Sequence, residues 1–287
     1  MSHLSPRADI VFKKIFVKNS DLLISMLNDL LMFEDDRCIK TLKYLSPEQT
    51  PNFMGLKNST VDVKCTDQED RIFLIEMQMV WNDIFDKRVL YNSCKAYADQ
   101  VKAGDEKYTL YPVYSLNIVN TNFRSDTSGY YHHYTIKDDL ENAVQLPGLE
   151  FVFIELAKFT KNPNVGNPRF KNIWLKMLTI TDTTKIDQEL LDNDLTSRAI
   201  DLTEEAYFTK EEREIYAQYW SLVRTNNAIY DGSEAAKSEA KGKAEGKAEG
   251  LAEGNLHNAL KMKLKGISIA DIADITGLSI DQINLLK

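Results

Sequence analysis

The stretch Ser59-Thr60-Val61-Asp62-Val63-Lys64-Cys65-Thr66-Asp67-Gln68-Glu69-Asp70-Arg71-Ile72-Phe73-Leu74-Ile75-Glu76-Met77-Gln78-Met79-Val80 decides how this chain is read. Ser59 to Thr66 alternates in residue type, and Arg71 to Val80 is rich in Ile, Phe, Leu and Met, so both segments predict strands. Asp67-Gln68-Glu69-Asp70 is a polar turn between them, which predicts a β-hairpin. Each strand carries one acid in apolar surroundings, Asp62 and Glu76. An unpaired charge there is costly, and a cation would compensate both. Mg2+ takes oxygen ligands, commonly one or two carboxylates together with water and substrate phosphate. Residues two apart share a strand face, so Asp62 goes with Lys64, and Glu76 with Gln78. If Asp67 lies opposite Arg71, then Asp62 lies opposite Glu76, with Cβ atoms about 5 Å apart. A slip of one residue would send the two carboxylates to opposite faces. On spacing alone, the plainer account stays open: each acid simply pairs with a neighbouring Lys or Arg on an exposed face.

Working outward, Ser5 predicts an N-cap with Pro6 at the first helical position. Ile10, Val11, Phe12, Ile15 and Phe16 then form a helical stripe. A second stripe runs from Leu22 to Leu31, with Ser20 or Asp21 as its cap. After the hairpin, Asp83 to Val101 reads as a helix with Ile84, Val89, Leu90, Tyr91, Cys94, Tyr97, Ala98 and Val101 as its apolar positions, stopped by Gly104. Tyr111 to Val119 and Phe151 to Leu156 predict further strands, and Val165 to Tyr230 reads mostly as helices.

Of the 287 residues, 43% are hydrophobic and 27% charged, enough to bury a real core. Met1 to Arg7 contains no apolar signal-peptide region, and Leu22 to Phe33 is too short and too polar to cross a bilayer; the expectation is a cytoplasmic protein with no membrane partner. Cys38, Cys65 and Cys94 form no CxxC pair, which argues against a zinc ribbon. The chain has four histidines, so any metal should be held by oxygen. The net charge of −8 does not exclude a DNA enzyme. Ten acids and four bases between Thr184 and Glu214 account for an excess of six, and a substrate groove can be locally basic.

A composition shift at Ser233 opens a four-residue repeat with glycines at 242, 246, 250 and 254. Each glycine disfavours a helix by ~1 kcal/mol relative to alanine, while the Ala, Glu and Lys between them favour one. Residues 231–255 therefore read as a linker after a domain of residues 1–230. Residues 256–287 read as a small helical tail in which Ser268 to Ser279 has the form of a helix, a glycine turn and a new N-cap, as in a helix-turn-helix. DNA binding and homo-oligomer formation through this C-terminal region are both open.

The order Asp62, polar turn, Glu76-Met77-Gln78, then Arg88-x-x-Tyr91 on a helix resembles the PD-(D/E)XK nuclease superfamily. More closely it is similar to the Rpn group, recombination-promoting nucleases also described as PD-(D/E)XK transposase-like proteins. Asp9-Ile10-Val11-Phe12-Lys13-Lys14-Ile15-Phe16 resembles that group's first helix, and Asp99-Gln100-Val101-Lys102-Ala103-Gly104 its sequence after the second. The resemblance implies an α/β fold, a restriction-endonuclease-like core with a mixed central sheet flanked by helices and a helical C-terminal extension. It implies a DNA endonuclease dependent on Mg2+ or Mn2+ and tied to recombination or mobile-element processing. Asp62, Glu76 and Gln78 would be catalytic. Asp62, Glu76 and the Met77 carbonyl would hold the metal, with Asp9 as a further carboxylate, and Arg88, Tyr91 and Lys64 would contact phosphate. Gln78 stands where the superfamily pattern has lysine. Lysine stabilises developing negative charge, whereas glutamine orients by neutral hydrogen bonds. The rival expectation is a nuclease-like fold that binds DNA or protein without cutting.

Overall fold

The computed structural model describes residues 2–49, 59–79, 84–101, 109–121, 124, 126–140, 144–163, 172–180, 186–266 and 268–285. Helices α1 (Asp9–Phe16) and α2 (Ser20–Leu30) come first. Strands β1 (Leu42–Leu45), β2 (Glu48–Gln49), β3 (Ser59–Thr60), β4 (Val63–Asp67) and β5 (Ile72–Gln78) follow. Helix α3 (Phe85–Ala98) leads to β6 (Val113–Val119), β7 (Tyr131–Lys137) and β8 (Gln145–Glu155). The remainder is helical: α4 (Leu156–Lys161), α5 (Ile173–Leu178), α6 (Gln188–Asp192), α7 (Asp194–Asp201), α8 (Lys210–Leu264), α9 (Ile269–Thr276) and α10 (Ile280–Leu285). No described helix is long and apolar enough to cross a membrane.

Six strands form one mixed sheet in the order β1-β4-β5-β6-β8-β7. β5, β6 and β8 run parallel at its centre, while β4 lies antiparallel to β5 and β7 to β8. β6 is buried along its whole length, and β5 everywhere but Gln78, as strands covered on both faces must be. One face packs against α1 and α2, whose Phe12, Phe16, Leu23 and Leu27 are fully buried beside Cys65, Phe73 and Ile75. α3 covers the other face. The α/β restriction-endonuclease-like architecture expected from the sequence is present.

The hairpin register is fixed by its turn. Asp67 Oδ1 accepts the backbone N–H groups of Glu69 and Arg71, both at 3.0 Å, and Oδ2 accepts Arg71 Nε at 2.6 Å. Both side chains are almost fully buried, and Arg71 also donates to the Arg37 carbonyl at 2.7 Å. Removing one partner of such a buried pair costs about 3–5 kcal/mol. Pairing runs Thr66↔Ile72 to Val63↔Ile75, the predicted register. The first predicted strand is interrupted, however: β3 pairs with β2, the chain bends at Asp62, and the ladder with β5 begins at Val63.

Three expectations for the helices are corrected. Ser5 does not cap α1 and Pro6 is not its first residue; Ala8 holds the N-cap position. The preceding segment is pinned elsewhere, Leu4 N–H on the Thr203 carbonyl at 2.8 Å and Ser5 N–H on the Tyr216 hydroxyl at 3.0 Å. Neither Ser20 nor Asp21 caps α2, because Asn19 takes that position. Its amide turns back to the Lys14 and Ile15 carbonyls and closes the end of α1. α3 exists, but its predicted apolar stripe is split: Ile84, Leu90, Tyr91, Cys94, Ala98 and Val101 are exposed, Tyr97 is half-buried and Val89 is buried, while the other buried positions are Phe85, Asn92, Ser93 and Ala96. The reason lies beneath it, where the sheet face presents Glu76, Ser115 and Asn117, all buried and polar. Asp83, Val80 and Gly104 lie outside the described residues.

The chain divides into two compact units, Met1–Asn227 and Ala228–Lys287. The repeat lies within α8. In the second unit Ala259, Ile272 and Ile283 are fully buried. Gly277 ends α9 with a φ of 69°, and Ser279 and Gln282 exchange capping bonds at 3.2 and 2.9 Å. We expect a chain ending at residue 230 to unfold in one cooperative transition, measured by urea titration; a broad, non-cooperative melt would show that the first unit depends on the second.

Candidate active site

Asp62, Met77, Glu76, Gln78 and Arg88 meet where β4 and β5 reach α3. At the bend before β4 the Asp62 side chain turns into the ladder, and its Oδ2 accepts the Met77 backbone N–H at 2.6 Å. A carboxylate thus takes the place of a backbone acceptor in the sheet. Burial, followed by the negative charges of Asp9 and Glu76, pushes the Asp62 carboxyl up to about 6.

Glu76 is 6% exposed on the face beneath α3. Its Oε2 accepts Arg88 Nη2 at 3.0 Å and its Oε1 accepts Asn92 Nδ2 at 3.1 Å. Burial raises the Glu76 carboxyl, and the Arg88 charge with the Asn92 and Arg88 hydrogen bonds pulls it back. The same Arg88 nitrogen donates to Gln78 Oε1 at 2.9 Å. One guanidinium therefore holds the acid and the amide that stand two apart on β5.

The other predicted residues divide. Asp9, at the start of α1, forms an ion pair with Lys13 at 2.8 Å and acts on Asp62 through its charge. Lys64 is half-buried on β4, and burial lowers its ammonium pKa while the charge of Asp99 raises it. The cation beside Glu76 is Arg88. Tyr91 lies one turn along from Arg88 and is 40% exposed.

Four residues went unread in the sequence. Asn92 is a polar side chain at a core-facing helical position, and its i, i+4 spacing from Arg88 was the available signal. Arg7 donates from Nη1 to Asn120 Oδ1 at 2.9 Å, and the Asn120 N–H donates to the Gln78 carbonyl at 3.0 Å. Tyr219, on α8, donates to the Arg7 carbonyl at 3.3 Å; burial and the charges of Asp62 and Asp9 raise its phenol pKa. No local pattern connects positions so far apart in sequence.

A family model described as PD-(D/E)XK nuclease family transposase matches residues 6–230. The chain belongs to this family. No curated protein and no solved structure matches it. PD-(D/E)XK nucleases typically use divalent metals, and the oxygen donors here fit a hard cation. Asp62 and Glu76 are acids whose burial disfavours their charge, which a cation would relieve. Among the described residues no group of three or more His, Cys, Asp or Glu side chains is placed to hold a metal. An ion in this PD-(D/E)XK protein would therefore rely on the two carboxylates and the Met77 carbonyl, its shell completed by water and phosphate, as Mg2+ favours.

Proposed function

We propose that this protein is a metal-dependent DNA endonuclease of the transposase-like kind, with Asp62 and Glu76 as its metal-holding acids. The supporting observation is the convergence on the β4–β5 hairpin of two acids in the family's motif order, Asp62 half-buried and Glu76 buried, both with carboxyl pKa values raised by desolvation. A divalent cation, Mg2+ or Mn2+, supplies a polarised attacking water and charge stabilisation for the leaving oxygen. Asp62 and Glu76 provide the negative charge that holds it, and the Met77 carbonyl a neutral oxygen. Arg88 favours the ionised form of Glu76 and fixes the carbonyl end of the Gln78 amide beside it. Asn92 holds the second oxygen of Glu76 and so helps orient the carboxylate.

The test is cleavage of plasmid and single-stranded DNA with Mg2+, Mn2+, Ca2+ or EDTA, by wild type and Asp62→Ala. Cleavage that requires the ion and disappears with Asp62→Ala is expected. A second reading, a DNA-binding fold that does not cut, is favoured by one fact: both Glu76 oxygens already have protein partners. DNA binding of equal strength in EDTA and Mg2+, with no cleavage under any ion, would establish it instead.

Gln78→Ala is expected to slow single-turnover cleavage by roughly 10- to 100-fold, about 1.4–2.8 kcal/mol, with metal affinity little changed. The loss is moderate because Arg88 remains as a cation at the same place. Wild-type rates across a Mg2+ titration would make the glutamine a bystander.

A further inference from the structure

Beside Arg7 the first unit has a half-open cavity of about 440 Å3, between the N-terminal segment, the helices after β8 and the first half of α8. Its polar wall includes His3, Ser5, Arg7, Tyr216, Trp220 and Arg224. Met177 and Ile200 contribute apolar surface. Among the described residues no carboxylate lines it, although the chain carries a net charge of −8. Two arginines in an acid-free pocket of an acidic protein mark a place for an anion.

Trp220 stands edge-to-face with Tyr216, ring centres 6.2 Å apart, and both residues line the cavity, where an aromatic ring can meet a planar group. The volume falls in the range of pockets for small organic ligands. Anion recognition by arginine beside aromatic side chains describes a phosphorylated nucleotide.

Position selects the source of that nucleotide. Arg7 belongs both to the pocket and to the candidate site: its side chain holds Asn120, whose N–H is bonded to the Gln78 carbonyl. Its own carbonyl holds Tyr219, which lies within the field of Asp62 and Asp9. We propose that this cavity receives the phosphorylated terminal nucleotide of a DNA strand whose body crosses Asp62 and Glu76. The proposal rests on the nuclease reading above for its choice of DNA.

The test uses the full chain in EDTA, with oligonucleotides of one sequence ending in a 5′-phosphate, a 3′-phosphate or hydroxyls only, read by fluorescence anisotropy. One phosphorylated end should bind about tenfold or more tighter than the hydroxyl strand. Arg224→Ala, at an exposed position the fold tolerates, and Trp220→Phe should each shrink that preference to about twofold. dTMP should displace the strand at concentrations where inorganic phosphate does not. Equal binding of all three strands, or an undiminished preference in Arg224→Ala, overturns the proposal. So does displacement by phosphate as effective as by dTMP, which would indicate a bare anion site. Binding of dTMP without any strand-end preference would assign the cavity to a free nucleotide and overturn it too. Cleavage in Mg2+ is measured alongside. An end preference without cleavage supports the pocket and counts against the nuclease reading; cleavage without an end preference removes the pocket alone.

Discussion

Asp62→Asn is expected to lower single-turnover cleavage by roughly 10³ while making the metal-free fold more stable at neutral pH. The first effect follows from removing a charged ligand. The second follows from the pKa of the acid. In the folded chain the carboxyl titrates at about 6, above its ordinary 3.8. Below pH 3.8 it is neutral in both states and has no effect. Between 3.8 and 6 the unfolded chain releases its proton while the folded chain keeps it, so stability falls as pH rises. Above 6 the penalty is complete, roughly 2–3 kcal/mol. Asparagine carries no charge, and its carbonyl still accepts the Met77 N–H. Urea unfolding in EDTA at pH 4 and pH 7.5 checks this: the advantage of the variant should be small at the first and full at the second. Wild type should recover part of the gap when Mg2+ is added, by mass action, and Asp62→Asn should not. A variant less stable than wild type at pH 7.5 would mean that Asp62 holds the bend as an anion, not as a strained acid.

Arg88→Ala should have the second-largest effect, and its signature is a pH shift. It leaves the buried Glu76 without the charge that pulls its carboxyl down, so that pKa rises further. The acid limb of the cleavage profile should therefore move to higher pH. Stability at pH 8 should fall by about 1–3 kcal/mol, below the figure for a fully buried pair because Arg88 is 37% exposed and water screens it. Arg88→Lys should restore most of the stability and part of the shift. An unmoved acid limb in Arg88→Ala would show that Glu76 does not titrate in the reaction.

The parts of this molecule that were legible from sequence are those fixed by neighbours in the chain. Asp67 and Arg71 enclose a turn whose register can be counted from residue numbers, and the pairing of Val63 with Ile75 follows. The stripe of Val11, Phe12, Ile15 and Phe16 identified α1 because its partner surface is apolar. α3 was legible as a helix but its inner face only in part: Val89 is buried as expected, while Asn92 and Ser93 take inner positions because the sheet below presents Glu76 and Asn117. β1 and β7 were missed for a related reason: they form the sheet edges, where half-exposed, polar sequences such as Tyr131-His132-His133-Tyr134 give no clean alternation. Of the site, the two acids and Gln78 could be named from one hairpin. The identity of the compensating cation could not, since Lys64 and Arg88 both suited the sequence and only packing brings Arg88 to Glu76.

The burial of Cys65 gives this fold an internal clock. It sits in β4 opposite Phe73, and burial pushes its thiol up to about 12, so almost no reactive thiolate exists at neutral pH while the strand is paired. Cys94 is exposed and Cys38 half-buried, so both take up an alkylating reagent on a different timescale. Once those two are blocked, the pace of Cys65 modification counts how often β4 leaves β5, the excursion that would also carry Asp62 away from Met77. Thiol exchange followed by mass spectrometry thus reads the breathing of the strand pair beneath the acids without a substrate, a metal or a substitution.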